Sequence, residues 1–254
     1  MCRFVAYVGP PVSLQSLVLD PPLGLLRQSY EPRFQRHGVV NADGFGCGWF
    51  DQSVRPEPAL YRRDKPIWSD ASFRSIAGVI SSKAVLAGVR DANTGAAVDD
   101  ASTPPFCSDG WLFAHNGKID GFDGSAGVRL WRMLSDRRAS GVRGTSDSEV
   151  LFGLILDRMD EGTSPAQALR WVIRESLKIS SGRFNLVLHD GWKITATCCG
   201  DSLYVLEGAE SLPGAVVIAS EPFNEDPGWQ EVPDASLVEG YCGGVVVAPL
   251  EVDA

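Results

Sequence analysis

Two consecutive amphipathic helices interrupt a chain whose other regular segments are short and strand-like, and this order restricts the fold more than any other feature. Ser146-x-x-Glu149 is a capping box ahead of apolar residues at helical spacing, which extend to Met159. Ser164-Pro165 marks the start of a second amphipathic segment, which continues to Leu177. We expect the two helices to pack against each other as a hairpin.

Strand-like segments precede and follow this helix pair. They cover residues 2–8, 79–80, 84–89, 111–114, 184–189, 193–199, 203–206, 215–219 and 244–247. Asp190-Gly191, between two of these segments, is typical of a tight hairpin turn. Helices flanked in sequence by antiparallel strands predict the α+β class, with layers of helix and sheet. A chain of 254 residues buries enough apolar surface for one domain, so we expect a single domain over residues 1–254.

The segment from Asn41 to Phe50 contains three glycines, each two residues from the next, at Gly44, Gly46 and Gly48. Their spacing matches neither a dinucleotide-binding loop nor a Walker A loop, and no helical pattern follows. We therefore expect these glycines to permit a close backbone approach within a strand or bulge.

Residues 121–144 form a polar, arginine-rich stretch between strand-like segments. Such a composition indicates a surface excursion, with a short helix over residues 128–136. We expect this excursion to contribute to the rim of the functional site.

Composition excludes several classes of partner. The formal net charge is -9 and no run of Lys or Arg occurs, which argues against a nucleic-acid or anionic-membrane surface. There is no secretory-type N-terminus and no apolar stretch approaching about 18 residues, so we expect a cytoplasmic protein that does not engage a membrane. The six cysteines include no CxxC pair, and the three histidines have no metal-ligand spacing. We expect no metal and no cofactor.

The chain begins Met1-Cys2, followed by a strand-like run. Removal of Met1 would leave Cys2 with a thiol and a free α-amine on the same residue. An α-amine titrates near pH 7.7–8, close enough to neutrality to accept the thiol proton and to return it later. Cys2 is therefore a candidate nucleophile that carries its own base, although a small residue at this position is also common without any catalytic role.

Other residues with suitable chemistry stand at the ends of predicted elements. Asn116-Gly117 offers an amide donor and a glycine backbone for an oxyanion hole, but Asn-Gly is also a common turn. Arg90 ends a strand and Asp147 begins a helix, where they suit a carboxylate and an ammonium group respectively. An ordinary surface arginine and a favourable first-turn charge explain the same two residues equally well.

Taken in order along the chain, these motifs resemble the class II glutamine amidotransferase family. The set is Met1-Cys2, Val89-Arg90-x-Ala-x-x-Gly95, His115-Asn-Gly117, Asp147-Ser-Glu149 and Ala219-Ser-Glu-Pro222. The resemblance spans nearly the whole chain. It implies a four-layer αββα N-terminal-nucleophile hydrolase sandwich, in which two antiparallel sheets stack between helical layers.

The same resemblance implies roles for individual residues. Cys2 would be the nucleophile and, through its α-amine, the base, while Asn116 and Gly117 would form the oxyanion hole. Arg90 would hold the substrate α-carboxylate and Asp147 its α-ammonium. The remaining residues assigned to substrate binding are His115, Asn93 and Thr94.

Among stand-alone members, the chain is similar to hydrolases of the ergothioneine pathway at residues 19–22, 28–30, 41–44, 64–73, 200–201 and 220–229. This similarity implies a small-molecule substrate, γ-glutamyl-hercynylcysteine sulfoxide, cleaved to glutamate and hercynylcysteine sulfoxide. A paralogue acting on another γ-glutamyl amide, a glutaminase subunit feeding a separate synthase and a catalytically silent binding protein are the alternatives. A homo-oligomer and a pathway synthase are the protein partners compatible with the sequence.

Three places depart from the pattern of that subgroup: Phe4, Asp91 and Cys198-Cys199. They put the leaving-group side of the site in question, because a trimethylammonium group favours aromatic faces. The aromatic residues considered as substitutes are Tyr30, Phe45, Trp49, Trp68 and Trp111.

Overall fold

The computed structural model describes residues 2–92 and 97–252. The strands are β1 Cys2–Ser13, β2 Phe45–Trp49, β3 Ala59–Arg63, β4 Ser81–Arg90, β5 Phe106–Ser108, β6 Trp111–Ile119, β7 Gly182–His189, β8 Lys193–Cys198, β9 Tyr204–Glu207, β10 Val216–Ala219, β11 Gln230–Glu231, β12 Ser236–Tyr241 and β13 Gly244–Pro249. The helices are α1 Leu25–Gln28, α2 Ala71–Ala77, α3 Ser125–Trp131, α4 Asp136–Gly141, α5 Asp147–Asp160 and α6 Pro165–Leu177. A π-helical turn spans Gln15–Leu19 and a 3₁₀ turn spans Ile67–Ser69.

The strands form two sheets that stack on each other between helices. The 7-stranded sheet has the order β11-β9-β10-β1-β4-β2-β3, and the 6-stranded sheet has the order β13-β12-β8-β7-β6-β5. Helices α3, α5 and α6 pack on the outer face of the second sheet, and α1 and α2 pack on the outer face of the first. A third apolar cluster fills the space between the sheets. The predicted four-layer αββα sandwich of antiparallel sheets is confirmed.

The alternation of side chains along β1 fixes where its first residue points. Val5 and Tyr7 enter the core under the helices, whereas Phe4 and Ala6 enter the core between the sheets. Successive strand residues face opposite sides, so Cys2 shares the face of Phe4. The side chain of Cys2 is therefore directed toward the second sheet.

Helix α5 begins differently from the sequence prediction. Ser146 caps it by accepting the amide N–H of Ser148 at 3.2 Å. The Glu149 carboxylate does not return to the cap but accepts the amides of Arg143 and Gly144, each at 2.7 Å. The predicted reciprocal capping box is thus absent at this helix, because Glu149 instead fixes the loop that leads into the helix.

Helix α6 has the capping box that its predecessor lacks. The Ser164 side chain accepts the Gln167 amide, the Gln167 side chain returns to the Ser164 amide, and Pro165 occupies the first turn. Helices α5 and α6 bury their apolar faces in one cluster with strands β6 and β7. The predicted helix hairpin is confirmed.

One prediction about a connecting segment needs correction. The structure has two helices where a single helix was expected over residues 128–136: α3 ends at Trp131 and α4 begins at Asp136. Packing of short apolar turns against a sheet decides the local structure here, and periodicity over so few residues is too weak to show it.

The glycines of β2 allow a close approach, as expected. A Cβ at Gly46 would lie 2.3 Å from the Pro104 carbonyl oxygen, and one at Gly48 would lie 2.6 Å from a methyl group of Leu112. Any larger residue at either position would push the two sheets apart. Within residues 2–92 and 97–252, no helix is long and apolar enough to cross a membrane.

Candidate active site

Cys2 and Arg90 are brought together by the sheet itself. Strand β1 lies between β10 and β4, and in its ladder with β4 Cys2 is the direct partner of Arg90. Both residues line a cleft of about 570 Å³ at this end of the sandwich. The opposite wall of the cleft comes from β6 and the start of α5, through His115, Gly117, Ile119, Asp147 and Ser148.

Asn116 stands next to the candidate nucleophile. Its Oδ1 accepts the backbone N–H of Cys2 at 3.3 Å. The residue is fully buried, and its Nδ2 has no hydrogen-bond partner within the described part of the chain. An unpaired buried donor is costly unless another group uses it, so this NH₂ is well suited to receive a developing oxyanion.

The register of β6 leaves a second donor available, the backbone N–H of Gly117. Gly117 is opposite Phe184, and Phe184 directs its own amide to Cys199 on the far side of β7. Gly117 and Phe184 therefore form a non-hydrogen-bonded pair of the antiparallel ladder, in which both residues turn their amides away from each other. On the other edge of β6, strand β5 pairs no further than Phe113, so no strand among the described residues accepts the Gly117 N–H.

The direction of this amide follows from the residue two positions later. Ile119 has the same orientation along β6, and its N–H is accepted by the Asp147 carboxylate at 2.9 Å. The Gly117 amide is therefore directed toward the same side, where the cleft lies. A side chain at Gly117 is not possible, because its Cβ would lie 2.0 Å from the Arg183 carbonyl oxygen.

Arg90 presents a guanidinium group to the cleft. One terminal nitrogen, Nη2, donates to the Ala97 carbonyl at 2.9 Å. The other, Nη1, is buried and has no hydrogen-bond partner among the residues that the structure describes. A fixed guanidinium with an available nitrogen suits a ligand carboxylate, since arginine binds that group through charge-assisted hydrogen bonds.

Asp147 is the first residue of α5 and is held rigidly. Besides the Ile119 amide, its carboxylate accepts the Ser148 amide at 2.7 Å. These bonds join the end of β6 to the start of α5 across the cleft. The carboxylate lies at the cleft wall, where it suits a ligand ammonium group.

His115 lies in the cleft wall, but both of its ring nitrogens are engaged by the protein. Nε2 donates to the Arg183 carbonyl at 2.9 Å, because a carbonyl oxygen only accepts. Nδ1 is 3.1 Å from the Ser148 hydroxyl, which itself donates to the Asp147 carboxylate at 3.2 Å. His115 therefore fixes the position of Ser148 and of the helix start, and has no free nitrogen for a ligand.

The surroundings of the Cys2 thiol disfavour its ionisation. Burial raises the pKa of the Cys2 thiol above its ordinary value, and the nearby Asp147 carboxylate adds to this effect. The positive charge of Arg90 lowers the pKa of the same thiol. A nucleophile with a raised pKa needs a base to remove its proton at neutral pH, and an α-amine on the same residue would provide one.

The protein family follows from the chain's match to known sequences. A model of the glutamine amidotransferases of class II matches residues 26–211, which is more than half of the chain. The chain belongs to the class II glutamine amidotransferases. The family roles expected of Cys2, Arg90, Asn116, Gly117 and Asp147 thus concern five residues that the structure gathers around one cleft.

Relatives of this amidotransferase match it over nearly their full length. It is 41% identical over 251 residues to a γ-glutamyl-hercynylcysteine sulfoxide hydrolase of Mycolicibacterium smegmatis, covering 98% of this chain and 100% of the relative. The protein of the same name from Mycobacterium tuberculosis is 36% identical and is covered to 97%. A solved class II glutamine aminotransferase-domain structure from Silicibacter pomeroyi has a TM-score of 0.70 and 25% identity, with 98% and 99% of the two chains covered.

Two other groups of residues were named from the sequence of this amidotransferase: two proposed substrate-binding residues and the departures from the subgroup pattern. Asn93 and Thr94 fall outside the described residues. Phe4 and Cys198 are buried in the core between the sheets, and Cys199 packs against the helical core. None of these three lines the cleft. The remaining departure, Asp91, does line the cleft, next to Arg90.

The aromatic residues of the cleft were not identified from the sequence. Phe106, Phe122 and Trp131 line it, together with the charged residues Lys118 and Asp123. Three of these five lie in the stretch 121–144, as do the lining residues Gly121 and Gly144, which confirms that this excursion contributes to the rim. Within the described ranges, no group of three or more His, Cys, Asp or Glu side chains is arranged to hold a metal ion.

Proposed function

We propose that this protein hydrolyses a γ-glutamyl amide through Cys2, and that its substrate is γ-glutamyl-hercynylcysteine sulfoxide. The chemistry is supported by one observation above all: the backbone nitrogen of Cys2 is 3.3 Å from Asn116, whose own NH₂ is unpaired. The choice of substrate is supported by full-length similarity to hydrolases that carry this name. Cleavage releases glutamate and hercynylcysteine sulfoxide.

The first half of the reaction forms a thioester. After removal of Met1, the α-amine of Cys2 accepts the thiol proton, and the thiolate attacks the γ-carbonyl carbon. The carbonyl oxygen becomes an oxyanion, which accepts hydrogen bonds from Asn116 Nδ2 and the Gly117 amide. The α-ammonium then protonates the departing nitrogen, the C–N bond breaks, and the leaving group departs as an amine.

The second half returns the enzyme to its starting state. The α-amine, again neutral, accepts a proton from a water molecule as that water attacks the thioester carbon. The same two donors stabilise the second oxyanion. Collapse of this intermediate breaks the C–S bond, the sulfur recovers a proton from the α-ammonium, and glutamate is released.

The glutamyl group is held at both of its charged ends. The Arg90 guanidinium binds the α-carboxylate through Nη1, and the Asp147 carboxylate binds the α-ammonium. His115 supports this clamp indirectly by fixing Ser148 beside Asp147. Asn93 and Thr94 remain proposed contacts of the glutamyl group.

We place the protein in the cytoplasm. All six cysteines are free thiols, in keeping with the reducing conditions of that compartment.

Glutamine is the alternative amide, because the matching family consists of glutamine amidotransferases. In that case the released ammonia would pass to a separate synthase. The stand-alone relatives that cover nearly the whole chain favour direct hydrolysis of the larger amide.

Glutamate release measured by mass spectrometry tests the proposal with tag-free protein, after intact mass has verified the loss of Met1. We expect a much higher kcat/KM for γ-glutamyl-hercynylcysteine sulfoxide than for glutamine. Cys2→Ala should abolish both activities while keeping the far-UV spectrum of the wild type. Cys242→Ala is the matched control. Its exposed thiol lies in the β12–β13 turn and does not line the cleft, so this variant should keep both activities. Preference for glutamine, or full activity of Cys2→Ala, would refute the proposal.

A further inference from the structure

The cleft continues well beyond the residues that hold the glutamyl group. Its volume of about 570 Å³ is in the range of about 300–1,000 Å³ that accommodates a drug-sized ligand. Cys2, Arg90 and Asp147 account for one part of its lining. The remainder is formed by the stretch 121–144, which brings Phe122, Asp123 and Trp131 to the cleft.

Phe122 and Trp131 belong to one segment that is held together by a tight backbone contact. Helix α3 has Gly127 at its centre, and a Cβ there would lie 2.0 Å from the Phe122 carbonyl oxygen. This glycine lets the turn at Phe122 press against the helix that ends in Trp131. Phe122 also packs against the helical core. Both rings are thus mounted on a compact unit.

Trp131 is partly exposed to solvent. It is 37% exposed and is not part of the described apolar clusters, yet it lines the cleft. Asp123 is exposed beside it, and it forms no ion pair with any residue that the structure describes. An accessible indole, a phenyl ring and a free carboxylate together provide a surface that attracts a cation lacking hydrogen-bond donors.

We infer that Phe122, Asp123 and Trp131 form a subsite for the quaternary ammonium group of the leaving group. This inference rests on the proposed function, in which the leaving group carries a trimethylammonium. A trimethylammonium has no N–H, so hydrogen bonds cannot select it, whereas aromatic faces and a carboxylate do. These residues determine specificity; they do not touch the reacting carbonyl.

The test compares the natural substrate with an analogue in which a neutral tert-butyl group replaces the trimethylammonium. The shapes match, so the ratio of the two kcat/KM values isolates the charge. Cation–π attraction of about 1–2 kcal/mol corresponds to a preference of about 5- to 30-fold for the cationic substrate in the wild type. Trp131→Ala should lower the ratio several-fold, Trp131→Phe should lower it less, and Asp123→Asn should also lower it.

Trp192→Ala is the matched control, because Trp192 is 69% exposed in the β7–β8 turn and does not line the cleft. This variant should retain the wild-type ratio. A wild-type ratio near one would overturn the inference, and so would an unchanged ratio in a folded Trp131→Ala protein.

Failure of the proposed function gives a different result from failure of the subsite. If the wild type cleaves glutamine but neither of the larger amides, the proposed substrate is wrong. Inhibition of glutamine cleavage by hercynine then tests the subsite directly. Inhibition that weakens about 5- to 30-fold in Trp131→Ala supports the subsite, and equal inhibition of both proteins refutes it.

Discussion

Replacement of Asn116 by alanine should impair the chemical step far more than it impairs folding or substrate binding. The Nδ2 donor has no partner in the resting site, so its removal breaks no hydrogen bond of the free enzyme within the described residues. The donor becomes useful when the oxyanion forms. Loss of one such donor typically costs about 2.7–4 kcal/mol, which is a decrease of about 10²–10³ in kcat. KM should change little, because the missing interaction exists mainly in the transition state.

The effect of Asn116→Ala on stability should be small for a buried residue. The variant loses the Asn116 Oδ1 acceptor, and with it a hydrogen bond of 3.3 Å from the backbone nitrogen of Cys2 that is worth roughly 1 kcal/mol. It also removes a buried NH₂ group that has no protein partner, and this gain offsets part of the loss. Steady-state kinetics and thermal unfolding, measured on the same preparation, separate the two effects.

Asn185 supplies a matched control, because it is the direct register partner of Asn116 and is equally buried. Its side chain is fully used: Oδ1 accepts the Cys199 amide, and Nδ2 donates to the carbonyls of Asp201 and Ser202. Asn185→Ala should therefore lower the Tm clearly while the folded protein keeps a near-normal kcat. Equal loss of kcat in the two variants, or a rise in KM without a fall in kcat for Asn116→Ala, would contradict the oxyanion role.

Two further predictions concern charge. Arg90→Met should raise the pKa of the Cys2 thiol and move the pH profile of its alkylation to higher pH, whereas Asp147→Asn should lower this pKa and move the profile to lower pH. Peptide mass spectrometry after iodoacetamide treatment measures both profiles. Shifts in the same direction would contradict the opposite effects of the two charges on the thiol. Glu221→Gln should lower the free energy of unfolding by about 3 kcal/mol, since it removes the nearer of two counter-charges from the buried Arg3 guanidinium, which lies 3.2 Å from the Glu221 carboxylate. Glu31→Gln, in an exposed ion pair, should change that free energy by less than about 1 kcal/mol in urea denaturation, and equal losses would refute the distinction.

The elements that the sequence predicts best are those whose signal is local. Helices α5 and α6 have repeated apolar spacing, and the Ser164 cap was identifiable from adjacent residues. The reciprocal cap at Ser146 failed, because Glu149 is drawn to backbone amides of the preceding loop. Competition of that kind depends on how the loop folds, and no pattern in the chain encodes it directly.

The candidate site was predictable as a set of residues but not as a geometry. Cys2, Arg90 and Asp147 each stand at the end of an element, which favours functional roles. Their convergence depends on the pairing of β1 with β4 and on the junction of β6 with α5. The availability of the Gly117 amide depends on strand register, which short sequence patterns do not determine.

The aromatic residues first considered for the leaving group all lie outside the cleft. Phe45, Trp49 and Trp111 pack against the apolar clusters, and Tyr30 and Trp68 contact each other edge-on. They were considered because a trimethylammonium group favours aromatic faces, a criterion that does not show which aromatic residues reach the cleft. Trp131 ends a helix in a polar stretch, where nothing in the local pattern distinguishes it from an ordinary surface residue.

The central position of β1 also sets the order in which a working enzyme can appear during synthesis. Residues 2–13 leave the ribosome first, yet one of their two neighbouring strands, β10, lies more than 200 residues later. Pairings between such distant segments form late, since the closing loop is long. Strand β1, which carries Cys2, therefore gains its second neighbour only after most of the polypeptide has been made, and a product truncated before β10 lacks that neighbour.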